Sequence, residues 1–221
     1  MQEVVLDTET TGLSVKDGHR IVEIGCIELD ELIPTNKIFH FYLNPERKVS
    51  DESFKIHGYS DKFLSDKKKF SEIADDFLEF IKDKKIIIHN AEFDIAHINN
   101  ELLIAGKEKI TKINVIDTLD IARNKFPGSA ISLDALCKRF RIDNSRRVTH
   151  TALIDCDLLS KVYINLIDQK EPKLDFQTDY MQNKNDDNLN ISYYKKVIKP
   201  SNQELKKHDE YLKSALKKNF F

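Results

Sequence analysis

The chain has 221 residues, 40% of them hydrophobic and 33% charged, with a net charge of −2. Such a length holds one domain of about 150 to 200 residues with an appendage, and the apolar share suffices for a core beneath a charged surface. A balance so near neutrality excludes a protein that coats long duplex nucleic acid through a basic field, but not one that grips a strand end. Cys26, Cys137 and Cys156 are odd in number and lack C-x-x-C spacing, so they are expected as small buried residues in a reducing compartment. Residues 1 to 20 have no apolar leader core, and no run of roughly 18 apolar residues occurs, so a cytoplasmic protein away from membranes is expected.

The first element is an apolar run, Val4, Val5 and Leu6, that ends in Asp7, Thr8 and Glu9 before a Thr10-Thr11-Gly12 turn. Read as a strand, it projects Asp7 and Glu9 to one side and Thr8 to the other. Two carboxylates so close cannot both stay ionised in a half-buried place without a cation between them, and Mg²⁺ or Mn²⁺ suits carboxylate oxygen. Residues 20–29 and 37–43 read as two further strands, giving an antiparallel meander that Asn44 and Pro45 end. Residues 52–60 predict a helical turn running into a loop. Residues 71–81 predict a helix capped by Ser71, and the Ile86-Ile87-Ile88 run within 85–89 predicts a central strand covered on both faces.

Residues 90–105 predict a helix whose buried stripe is Ala91, Ile95, Ile98 and Leu102. Asp94 falls on that stripe, where an acid costs stability unless something satisfies it. A strand at 113–117, a helix at 119–126 closed by Pro127 and Gly128, and a helix at 132–140 capped by Ser132 follow. Arg139, Arg141, Arg146 and Arg147 surround a loop, where they suit phosphate contacts or simple solvation of a turn. Residues 151–168 predict a long amphipathic helix that carries Asp155 on its buried face and Asp157 on its wet one, with His150 in the loop entering it.

Past residue 170 the chain turns rich in Asn and Asp and reads as a linker over 171–196. Ser201 to Glu204 then form a capping box for a helical tail over 197–221, and residues 195–221 hold eight Lys and three acids. With no domain beneath it in this chain, the tail's apolar face is expected to dock on a partner.

Taken together, Asp7-x-Glu9-Thr10-Thr11-Gly12-Leu13, His89-Asn90-Ala91-x-Phe93-Asp94 and His150-x-x-x-x-Asp155 resemble the motifs of the DEDDh 3′→5′ exonucleases, over roughly residues 1 to 168. The resemblance implies an α/β, ribonuclease H-like fold: a mixed central sheet whose first three strands are antiparallel, flanked by helices, over residues 1–170. Within the family, these motifs and the Ile56-His57-Gly58 loop are most similar to the proofreading subunits of bacterial replicative polymerases. The expected cofactors are two divalent cations, Mg²⁺ or Mn²⁺. Asp7 would bridge them, Glu9 and Asp155 complete one site and Asp94 holds the second, with His150 as general base. Glu52 and His57 would join Asp7, Glu9 and Asp155 in contacting the terminal nucleotide at the 3′ end of DNA. By the same resemblance, Gln177 to Met181 would correspond to a sliding-clamp peptide and the tail to the segment that binds the polymerase subunit. An RNA-trimming exonuclease uses the same residues, and a binding module that kept the fold without activity is a third reading.

Overall fold

In the computed structural model the described residues are 2–147, 149–167 and 200–215. The chain divides into two units, Met1–Lys173 and Leu174–Phe221. The proposed linker and the Gln177 to Met181 peptide lie outside the described residues. Among the described residues no helix is long and apolar enough to cross a membrane.

The first unit is built on a five-stranded sheet in the order β3-β2-β1-β4-β5. Strands β1 (Gln2–Thr10), β2 (Ile21–Asp30) and β3 (Ile33–Tyr42) form the expected antiparallel meander. Strands β4 (Lys85–Ile88) and β5 (Val115–Asp117) run parallel to β1 on its other side. Ile86, Ile87 and Ile88 are buried on both faces of β4, as their unbroken run requires.

Side-chain alternation along β1 divides the core in two. Val4 and Leu6 face a layer made by α3 (Ala74–Ile81) and α4 (Ala91–Ile104), where Ile95, Ile98 and Leu102 pack. Val5 faces the opposite layer of α5 (Thr118–Lys125), α6 (Leu133–Phe140) and α7 (Ala152–Leu166). The three cysteines are buried and free.

Several boundaries differ from the sequence reading. Residues 51–57 form a helix, α1 (Asp51–His57), rather than a single turn, because Ser50 accepts from the Ser53 amide at its start and Gly58 takes φ 79° at its end. Ser71 does not cap the next long helix. It lies inside a 3₁₀ turn, Phe70–Glu72, whose Glu72 carboxylate accepts from the Lys69 amide, and α3 starts after Ile73 without a side-chain cap. A four-residue helix, α2 (Asp61–Leu64), precedes that turn. β3 begins four residues early, since Ile33 and Pro34 continue the pairing to β2. Ile113 belongs to a 3₁₀ turn outside β5 and is exposed.

In the second unit, α8 (Asn202–Ala215) starts with the reciprocal bonds read from its sequence. The Ser201 amide donates to Glu204 Oε2 at 2.7 Å, and the Glu204 amide donates to Ser201 Oγ at 3.3 Å.

One glycine sets how closely α7 lies on the sheet. Gly25 of β2 sits beneath the start of α7, and the Cys156 thiol donates to its carbonyl oxygen at 3.2 Å. A Cβ at Gly25 would lie 2.8 Å from the Ala152 carbonyl carbon and 2.9 Å from the Leu153 nitrogen. Backbone atoms cannot rotate aside as a side chain can, so the helix itself must move. Gly25→Ala is expected to cost about 1–3 kcal/mol, the usual range for overpacking, read as a lower midpoint in urea unfolding. An unchanged midpoint would show that α7 tolerates the displacement.

Candidate active site

β1 continues past the end of its parallel neighbour. Val5 is the last β1 residue registered with β4, opposite Ile87, while pairing with β2 runs on to Thr10. Asp7 and Glu9 therefore stand at the carboxyl end of the parallel strands, where crevices form in α/β sheets. There they line an open cavity of about 470 Å³ with Thr8, Asp94, His150 and Asp155. The four acids and the histidine that the sequence singled out thus meet in one place.

Each comes from a differently supported element. α4 brings Asp94 from one layer, and its carboxylate accepts from both the Thr8 amide (3.1 Å) and the Thr8 hydroxyl (2.7 Å). Thr8 points away from Asp7 and Glu9, which is why it reaches α4. The entry to α4 is fixed by Asp117, whose carboxylate accepts from the amides of Asn90, Ala91 and Leu119, with Asn90 in the left-handed region at φ 72°. Asn tolerates that conformation better than most side chains. At the other end Arg20 forks onto Glu101, with nitrogen–oxygen distances of 2.6 and 2.7 Å.

From the opposite layer, α7 brings Asp155, which is buried, whereas Asp157 is exposed and paired with Lys161. Glu23 holds the start of this helix. Its fully buried carboxylate accepts from the Ala152 amide (3.0 Å), the Tyr59 hydroxyl (2.7 Å) and His40 Nε2 (2.7 Å). An acid inside the apolar run Ile21-Val22-Glu23-Ile24 breaks the pattern of a buried strand, and that break was the available signal for it. His150 lies just before the helix; its amide donates to the Ile56 carbonyl of α1, and its Nδ1 is 3.5 Å from Asp155 Oδ2.

Arg147 is the second residue that sequence reasoning did not resolve. Of the four loop arginines it turns inward, donating from Nε and Nη2 to the two oxygens of Asp155 at 2.6 and 2.7 Å. Its Nη2 also donates to His150 Nδ1 (2.8 Å), and Nη1 donates to Asp134 (2.7 Å).

The electrostatics follow from crowding acids where water is scarce. Burial, then Asp94, Glu9, Asp155 and Glu23, pushes Asp7 well above the usual carboxylate range. Burial and the charges of Asp155, Glu23 and Asp94 push Glu9 up to about 8, with Arg147 opposing. Burial raises Asp94 to about 7 against the bonds from Thr8. Carboxylates clustered and raised in this way, by burial first, mark a place built for positive charge.

Glu52 and His57 are not among the cavity-lining residues. Glu52 is exposed on α1. His57 is buried, stacks on Tyr59 and accepts from the Tyr59 amide at Nδ1 (3.0 Å); burial lowers its pKa, so the ring is held neutral. His89, by contrast, lines the cavity and is bonded to the Thr118 hydroxyl.

Comparison with known proteins agrees with this geometry. Residues 4–163 match the family model described as Exonuclease. The DNA polymerase III subunit epsilon of Rickettsia felis is 48% identical over 230 residues, covering 98% of each chain. That of Escherichia coli is 45% identical over 171 residues, covering 74% of this chain and 70% of its own. Among solved structures, the nuclease domain of 3′hExo, a DEDDh family member bound to rAMP, superposes with a TM-score of 0.66 at 16% identity, covering 76% of this chain and 92% of its own. Exonuclease I superposes with a TM-score of 0.67 at 18% identity, covering 77% and 41%. At those identities the solved structures establish the ribonuclease H-like exonuclease fold. The sequence matches establish more: the chain belongs to the exonuclease family, among the epsilon subunits of DNA polymerase III.

Proposed function

We propose that this chain is the proofreading 3′→5′ exonuclease of a bacterial replicative polymerase, removing mispaired 3′-terminal nucleotides as 5′-monophosphates. The observation that carries the reading is the meeting of Asp7, Glu9, Asp94, Asp155 and His150 around one open cavity. A cytoplasmic location follows from that role in replication.

Members of the DEDDh family use divalent metal ions, and the residues here fit them. Ligand atoms of Glu9, His150 and Asp155 lie within 4.8 Å of one another, and burial followed by neighbouring negative charge raises the Asp7 and Glu9 carboxyls. A carboxylate-rich donor set suits Mg²⁺ or Mn²⁺. Two such ions, held by these residues, would supply charge to the scissile phosphate and lower the pKa of an attacking water. In our reading Asp7 would serve both ion positions, Glu9 and Asp155 would complete one, and Asp94 would serve the second from α4. Thr8 orients Asp94 for that task through its two bonds. His150, in the loop at the cavity rim, takes the proton of the water, the role that a positioned imidazole nitrogen most often fills. Although neither lines the cavity, Glu52 and His57 are assigned in our reading to contacts with the terminal nucleotide from the α1 side, where the Ile56 carbonyl meets the His150 backbone.

The helical tail, residues 197–221, is assigned to the polymerase catalytic subunit, and Gln177 to Met181 to a sliding clamp. The eight Lys against three acids over residues 195–221 and the capped helix support a docking role.

Three outcomes test this reading. Asp7→Ala abolishes Mg²⁺-dependent shortening of single-stranded or mispaired DNA from the 3′ end, while His150→Ala lowers kcat about 10²- to 10⁴-fold with Mn²⁺ binding retained. Full activity of Asp7→Ala would remove the metal-site reading.

The second outcome concerns pH in EDTA. Glu9 ionises at an ordinary 4.5 when unfolded and at about 8 when folded. Between those values the folded state binds more protons, so stability falls as pH rises. Thermal melts in EDTA should show this decline, it should be shallower in Glu9→Gln, and saturating Mn²⁺ should offset it. A wild-type slope equal to that of Glu9→Gln would contradict the assignment.

Third, deleting residues 193–221 leaves oligonucleotide hydrolysis nearly unchanged and abolishes co-purification with the polymerase subunit. Undiminished co-purification would move the docking surface elsewhere.

A further inference from the structure

Arg147 occupies the position from which both the acid and the base of the proposed reaction are controlled. Its guanidinium engages both Asp155 oxygens, at 2.6 and 2.7 Å, and its Nη2 also donates to His150 Nδ1 at 2.8 Å. Arginine has no lone pair to offer, so the nitrogen of His150 facing it must be the acceptor. The lone pair that would take a proton from water is then already engaged. Asp155 is equally committed: a divalent ion on either oxygen would sit beside a fixed cation in a pocket poor in water, where like charges repel strongly.

We propose that Arg147 is a positioning residue that stands in for a cation at Asp155 and must be displaced before a divalent ion binds there, which at the same time releases His150 to act as base. The inference rests on the metal reading above and adds a competition to it. Asp134 gives the displaced side chain a place to go. It already accepts from Nη1 at 2.7 Å and lies at the cavity rim, 56% exposed, so a rotation about the Arg147 side chain retains one partner while surrendering two. The arrangement explains why one arginine of the four turns inward. Four crowded carboxylates would otherwise repel without compensation in the folded chain, and a guanidinium fork fills a carboxylate's geometry as no ammonium does.

The test is Mn²⁺ binding by the full chain, followed by electron paramagnetic resonance of the free ion, for wild type, Arg147→Gln, Arg147→Lys and Asp7→Ala. Competition predicts that Arg147→Gln binds Mn²⁺ about tenfold more tightly, within the ordinary range of coupling between sites, while its melting temperature in EDTA falls. Arg147→Lys keeps the charge without the fork and should gain less. Affinity that is unchanged or weaker in Arg147→Gln overturns the proposal, because the arginine would then serve the ion rather than compete with it. Wild-type protein provides a reading that no variant's folding can confound. The Arg147 Nε–H cross-peak in ¹H–¹⁵N spectra, assigned by its loss in Arg147→Lys, should shift on saturation with Mg²⁺, and a cross-peak that does not move also overturns the proposal. Asp7→Ala separates the two layers: if it binds Mn²⁺ as wild type does, the metal reading itself fails.

Discussion

Repulsion among carboxylates is the constraint that the surrounding structure answers to. Asp7, Glu9, Asp94 and Asp155 would separate if the elements bearing them were free to move, and burial makes the repulsion stronger. The supports oppose that tendency one by one. Thr8 donates twice to Asp94, Asp117 and the Arg20–Glu101 pair hold the two ends of α4, and Glu23 holds the first amide of α7. The raised carboxyls of Asp7, Glu9 and Asp94 cost stability at neutral pH, so their persistence in one pocket is a sign of function rather than of packing.

The sheet's topology makes the convergence possible. β1 lies between an antiparallel and a parallel neighbour, and only the parallel one stops short. Beyond Val5, one side of the strand is therefore open while the other stays paired. Alternation then sends Asp7 and Glu9 toward the α7 layer and Thr8 toward α4, so two helices on opposite faces each deliver one acid to the same strand end. Gly25 completes the arrangement, because the α7 backbone rests where any side chain at position 25 would stand.

What the sequence disclosed depended on whether an acid broke a periodic pattern. Asp94 and Asp155 were legible because each interrupts an apolar stripe, and both prove buried. Glu23 breaks a pattern too, but a single acid in a β-branched run is also compatible with a short edge, and its three donors come from distant parts of the chain. Arg147 gave no signal that set it apart from Arg139, Arg141 and Arg146. Its direction is decided by the position of Asp155 and Asp134, a tertiary fact. Ser71 shows the converse error: a good capping residue was overruled because Phe70 and Ile73 bury their side chains and draw the backbone into a 3₁₀ turn first. Local preference yields when the apolar residues beside it have a core to enter.

The net charge of −2 bears on how such an enzyme would hold its substrate. Affinity for a nucleic acid comes chiefly from cations placed against phosphates, and a near-neutral protein with an acidic pocket has few to spare. In the proposed assembly the tail would solve this by tethering. A polymerase that already grips the duplex raises the effective concentration of the strand end near the nuclease, so the cavity needs only to recognise the terminus and the ions there. Weak intrinsic affinity is then useful, because a tightly binding nuclease would attack paired ends as readily as frayed ones. Selectivity would arise from the cost of separating a matched terminal pair, a cost that a mispaired end has largely met already.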